Sequence, residues 1–132
     1  MRASPCLFLG ALLFTTAGAA LATSASAAPD APMLLHQVFF WLKSPGDKAD
    51  RDKLIAGLKA LKAIGVIQQL HVGAPASTEK RDVVDNSYDV SELMVFKSVE
   101  DQKTYQDHPL HVAFKDVIGP LVQDRTAADW IV

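Results

Sequence analysis

The sequence predicts an α+β fold, a ferredoxin-like plait in which a four-stranded antiparallel sheet carries its helices on one face. Three observations lead there. The elements read β-α-β-β-α-α-β with no internal repeat, an order that one sheet and one helical layer accommodate. The first strand, within Met33–Lys43 (MLLHQVFFWLK), is apolar on both faces, so both faces must be covered. The remaining chain holds enough helix for one face only. A second copy, sheet against sheet, is the expected cover for the other, which makes the protein a two-fold homodimer.

In the first strand His36, Val38, Phe40 and Leu42 point one way and Leu35, Gln37, Phe39 and Trp41 the other, until Pro45-Gly46 stops it. Asp47–Ile64 reads as a helix. Leu54, Leu58 and Leu61 form its apolar stripe, Asp47, Asp50 and Asp52 gather at its positive end, and Gly65 stands where a C-cap glycine belongs. Val66–Val72 is a second strand. Ala74–Ser87 is a long polar connection, a length at which loops are usually functional or disordered. Tyr88–Lys97 is a third strand, with Tyr88, Val90, Glu92, Met94 and Phe96 on one face. Ser98 and Asp101 have capping-box spacing and open a helix with Tyr105 in its last turn. Pro109 ends that helix and starts another, which carries Val112, Phe114, Val117, Ile118 and Leu121. Thr126–Val132 is a short last strand.

The first 27 residues read differently. Met1-Arg2 is followed by an uncharged apolar run, Leu7–Leu21, and by Ala25-Ser26-Ala27, a small-x-small site of the kind signal peptidase accepts. Residues 1–27 are therefore expected to be a signal peptide cleaved after Ala27, residues 28–33 a flexible leader and residues 34–132 the domain. Cleavage removes Cys6, the sole cysteine, which suits an oxidising compartment and leaves no thiol for catalysis or metal binding. The expected location is secreted or periplasmic, with no membrane attachment after processing. With 13 basic against 15 acidic residues in 132, the chain has no cationic surplus for phosphate backbones, so nucleic acid is not an expected partner.

His36 and His111 are the candidates for acid–base chemistry, since unperturbed imidazoles titrate near neutrality and both sit on elements that pack inward. With Tyr105 they could take a proton α to a carbonyl and hold the oxyanion that develops. The alternative use of both imidazoles is structural: hydrogen bonds to backbone groups that knit helix to sheet. His108 and His111 are three apart, but no carboxylate at helical spacing completes a metal site, so no metal is expected and His108 is read as a helix cap. His71, on the second strand, is read as surface-facing or facing the sheet's second cover.

The His36-x-Val38-x-Phe40 start, the Tyr88…Val95-Phe96-Lys97-Ser98-Val99-Glu100-Asp101 segment and above all Tyr105-Gln106-Asp107-His108-Pro109-Leu110-His111-Val112-Ala113-Phe114 resemble the stress-responsive dimeric α/β-barrel (Dabb) domain over about residues 34–131. The resemblance implies a ferredoxin-like protomer whose sheet closes a barrel with that of a second copy. It also implies a comparison with olivetolic acid cyclase, a plant polyketide cyclase of that family that needs no cofactor. By motif, its first-strand His, second-helix Tyr and the His after the His-Pro pair fall on His36, Tyr105 and His111.

Two kinds of function follow, both without a cofactor. One is an exported homodimer that binds a small aromatic or carbonyl ligand without turning it over. The other is a cyclase- or lyase-like enzyme using His36, Tyr105 and His111, with a cofactor-free monooxygenase of the wider barrel group as a further form. An open cavity between sheet and helices, lined by Val38, Phe40, Leu58 and Phe114, with both imidazoles facing it and Tyr105 at its mouth, favours the enzyme; a filled core favours the binding protein. Mass spectrometry of protein from its native host should find the mature chain starting at Ala28 or within a few residues of it. A soluble cytoplasmic pool that keeps Met1 contradicts the signal-peptide reading.

Overall fold

The structure, a computed structural model, describes residues 31–132; the expected signal peptide and residues 28–30 lie outside the described residues. Along the chain run β1 (Leu34–Leu42), α1 (Lys48–Ala60) with a 3-10 turn over Leu61–Ala63, β2 (Gln69–Gly73), β3 (Val90–Phe96), α2 (Val99–Asp107), α3 (Pro109–Ile118) and β4 (Val122–Ile131). The strands form one antiparallel sheet in the order β2-β3-β1-β4, the ferredoxin-like arrangement. Met33, expected in the flexible leader, instead exchanges both backbone hydrogen bonds with Val132 (3.1 and 3.0 Å), which extends the β1–β4 ladder by one pair.

Alternation on β1 sorts its residues as the sequence predicts. His36, Val38, Phe40 and Leu42 are buried under the helices, while Leu35, Gln37, Phe39 and Trp41 are half-buried on the opposite face. A left-handed turn at Gly46 (φ 78°) redirects the chain into α1, and the Asp89 carboxylate holds that turn by accepting from the Leu42 and Gly46 amides at 2.8 and 2.9 Å. Asp47 caps α1 by accepting from the Asp50 amide. Leu54 and Leu58 bury the inner stripe of α1 completely. Gly57 lets α3 come close, since a Cβ there would lie 3.2 Å from the Phe114 ring.

Three local expectations are corrected. Gly65 is not a left-handed cap: α1 tightens into the 3-10 turn, the backbone at Leu61 stays right-handed, and Gly46 is the sole glycine with positive φ among the described residues. β2 begins at Gln69, not Val66, because the Ile67 amide turns back to the Ile64 carbonyl (3.1 Å) and Ile67 is buried below the sheet. β4 begins at Val122, four residues before the expected start, and the ladder shifts register at Trp41/Leu42 to admit it. The polar Gln123-Asp124-Arg125 stretch reads as loop in the sequence, yet an edge strand exposed to water needs no apolar alternation.

The open face of the sheet gathers Leu35, Phe39, Trp41, Leu93, Val95 and Trp130, with His71, Gln37 and Ser91 among them. Tyr88, expected to open the third strand on the face of Glu92, instead precedes β3 and turns to this open face, where Phe39 packs on it (4.9 Å between ring centres); the Trp41 indole N–H donates to Ser87 Oγ at 3.0 Å. Burying one aromatic side chain contributes ~1.5–3 kcal/mol, and a two-fold interface counts each residue twice. Trp41→Glu should therefore convert an expected dimer into monomer or aggregate in light scattering; a variant that stays a stable dimer places Trp41 outside the interface.

Candidate active site

Three rings stand in a row beneath the sheet. His36, in mid-β1, is 4% exposed and paired across the ladder with Met94 of β3 and Asp129 of β4. Its Nδ1–H donates to Asp129 Oδ1 at 2.5 Å, which fixes the tautomer and leaves Nε2 as the free nitrogen. Tyr105, in the last turn of α2, is 1% exposed and lies edge-on to His36, with 5.9 Å between ring centres. On its other side is His111, with 4.4 Å between ring centres.

The junction between α2 and α3 makes this row possible. His108 ends α2 and caps α3, accepting at Nδ1 from the Leu110 amide (3.1 Å), and Pro109 occupies the first helical position, where its missing N–H costs nothing. His111 then falls in the first turn of α3 and donates its Nδ1–H to the Gln106 carbonyl (2.9 Å). The hydrogen bond to a backbone carbonyl expected of a structural imidazole is present at Nδ1, and Nε2 is left without one among the described residues. Burial holds the His111 pKa below the ordinary imidazole range, more strongly than the Gln106 hydrogen bond raises it, so the ring is neutral at pH 7.

These side chains face a cavity of about 280 Å³, near the lower end of the ~300–1,000 Å³ usual for ligand sites. Val38, Phe40 and Phe114 line it as expected, together with Ile118, Gln106, Lys115, Arg125 and Ala127. Two expectations fail. Leu58 is fully buried in the core and does not reach the cavity, because Phe114 lies against α1 and closes that side. Tyr105 is not at the mouth with its hydroxyl in water; it is the buried residue of α2, and burial and the nearby Glu92 push its pKa well above the usual phenol range.

Glu92 and Asp129 are functional candidates that sequence reasoning did not single out. Glu92 is 2% exposed, lines the cavity from β3, and its Oε2 has no hydrogen-bond partner among the described residues. Burial pushes its pKa up to about 8, so at neutral pH it is a carboxylic acid able to donate a hydrogen bond. A signal was there to find: Glu92 stands between Val90 and Met94 on the apolar face of its strand, where an acid is out of place. Asp129 gives no such signal, since its role arises from the β1–β4 register. Among the described residues no three His, Cys, Asp or Glu side chains gather as metal ligands.

Comparison with known families bears on the whole domain. The stress-responsive A/B barrel domain matches residues 34–132. The chain belongs to that family. This A/B barrel domain is similar to a Dabb family protein with a ferredoxin-like fold from Mesorhizobium loti, at 26% identity and a TM-score of 0.63 over 76% of this chain and 97% of that one. It is also similar to a dimeric protein of ferredoxin-like fold from Bacteroides fragilis (23% identity, TM-score 0.62, 76% and 96% covered). A hydroxynitrile lyase from Passiflora edulis shares the fold (20% identity, TM-score 0.63, 76% and 93% covered). No curated protein matches the chain in sequence.

The buried acid of this A/B barrel domain predicts how its stability depends on pH. Between the ordinary glutamate pKa of 4.5 and about 8, the unfolded chain has released the Glu92 proton while the folded chain retains it. Unfolding is therefore favoured progressively as pH rises through that window, by roughly 3–5 kcal/mol in total. Urea denaturation from pH 4.5 to 8.5 should show this loss, and Glu92→Gln should flatten it. A pH dependence unchanged in Glu92→Gln shows that this carboxyl does not carry it.

Proposed function

We propose that the protein is an exported, cofactor-free homodimeric enzyme that moves a proton on a small carbonyl compound held in the cavity. One observation carries the catalytic reading. Two imidazoles, each with Nδ1 committed to a fixed acceptor, flank a buried phenol at a cavity that also holds a neutral carboxylic acid.

In this reading His36 Nε2 is the general base. It takes a proton from the carbon α to the substrate carbonyl, and the electron pair of the broken C–H bond passes to the carbonyl oxygen as an enolate. Asp129 acts as a positioning residue, holding the tautomer and stabilising the imidazolium that forms. The Tyr105 hydroxyl and the protonated Glu92 are donors for the oxyanion, in a site where low dielectric strengthens such bonds. His111, neutral at pH 7, is the second proton carrier. Return of a proton to the same carbon regenerates the substrate, and delivery to another carbon gives an isomerase; loss of a β-substituent with its bonding electron pair makes a lyase, and attack of the enolate carbon on a second carbonyl of the same molecule, whose oxygen then takes the proton, makes a cyclase.

The homodimer is supported by the apolar open face and by the dimeric Bacteroides fragilis protein of the same fold. Export is supported by the apolar Leu7–Leu21 run and the Ala25-Ser26-Ala27 site.

Hydrogen–deuterium exchange tests the chemistry without knowledge of the product. The mature protein in D₂O, followed by NMR with acetophenone, phenylacetone, phenylpyruvate and levulinate, should speed exchange α to the carbonyl of at least one of them. His36→Ala should slow that exchange by ~10²–10⁴-fold, the usual span for a general base. Asp129→Asn should slow it with little change in affinity. Binding with no exchange above the buffer rate across the panel makes the protein a ligand carrier.

A further inference from the structure

The chemistry above leaves the two basic lining residues, an arginine and a lysine, unused. Arg125 and Lys115, from β4 and α3, both border the cavity, and both are exposed. Neither belongs to any of the ion pairs among the described residues, which are His36–Asp129, Lys48–Asp52 and Lys103–Asp107. Asp124 accepts from the Arg125 backbone amide (2.8 Å) but forms no ion pair with the guanidinium. Asp129 is engaged by His36 Nδ1, and Asp107 by Lys103. Two unpaired cations thus stand at the rim of a cavity whose one lining carboxyl, Glu92, is deeply buried on the sheet.

The exit from the cavity is therefore cationic, while its inner end holds His36, Tyr105 and Glu92. Both cations are close enough to act on His111: after burial and the Gln106 hydrogen bond, their charges are among the influences on its proton. A guanidinium is well suited to a carboxylate, which it can bind through two parallel N–H donors.

We infer that the cavity selects a small carbonyl compound that carries a carboxylate, a keto acid, with Arg125 and Lys115 holding the carboxylate at the rim and the carbonyl directed inward to Tyr105 and Glu92. This rests on the proton-transfer reading for the role of the carbonyl, but the selection of charge stands on the rim residues alone.

Calorimetric titration of the mature protein with phenylpyruvate and with phenylacetone, which replaces the carboxylate by a methyl group, tests it. Phenylpyruvate should bind about ten-fold or more tightly, and the preference should shrink as salt screens the exposed cations. Arg125→Gln, at a solvent-exposed position, should lower phenylpyruvate affinity about ten-fold and leave phenylacetone unchanged; Lys115→Gln should act in the same direction with a smaller loss. Equal affinity for the two compounds, no binding of either, or a preference that survives Arg125→Gln with Lys115→Gln, overturns the inference. The exchange experiment separates the two claims. Exchange on phenylacetone without anion preference leaves the proton chemistry standing, and anion preference without exchange leaves the carboxylate site standing.

Discussion

The register of β1 between β3 and β4 is the constraint on which the site depends. It sets His36 opposite Asp129, and it puts Glu92 one alternation away, opposite Val38, on the same side of the sheet. A slip of one residue would turn His36 out to the open face and bring Gln37 beneath the helices. The burial of Leu34, Val38, Phe40 and Leu42 on one side of β1 fixes that register hydrophobically. The packing of the core and the placement of the acid–base groups are therefore one decision. The same decision puts Phe39 and Trp41 on the face left for a second copy.

The site is expensive to maintain in a domain of this size. Glu92 buries a carboxyl whose Oε2 is unpartnered among the described residues, a situation that ordinarily costs a protein ~1–3 kcal/mol or more. Natural cores hold few such groups, and they concentrate where chemistry needs them. Around it the completely buried Leu54, Leu58, Leu61, Met94 and Phe96 form a continuous core that offsets the cost. Keeping the acid protonated also keeps negative charge away from Tyr105, whose hydroxyl is of use as a donor only while it holds its proton.

Much of this was legible in the sequence because its causes are local. Alternation placed His36 with Val38 and Phe40, the Ser98–Asp101 spacing marked the start of α2, and Pro109 marked the break that brings Tyr105 and His111 near each other. What escaped has causes that cross the fold. Asp129 and Arg125 belong to a strand whose polar, water-exposed sequence carries no alternation, so neither its start nor its partners can be read without the ladder to β1. Leu58 sits on the buried face of α1 but is enclosed in the core, while Phe114, packed against α1 at Gly57, is the residue that lines the cavity, a matter of packing and not of pattern. Gly65 misleads because a 3-10 turn ends α1 without any need for a left-handed residue.

The single residue between α2 and α3 has a further consequence. His108 is at once the last cap of one helix and the first cap of the next, so the junction has no loop to absorb a change in length. Each added or deleted residue would rotate everything after it by about 100° around the helix axis. From Tyr105 to His111 the chain therefore behaves as a ruler of fixed length: it tolerates substitution between its marks but neither insertion nor deletion. Variation in chain length during divergence, or in a redesign, has to be found elsewhere, and the long polar connection between β2 and β3 is the segment free to supply it.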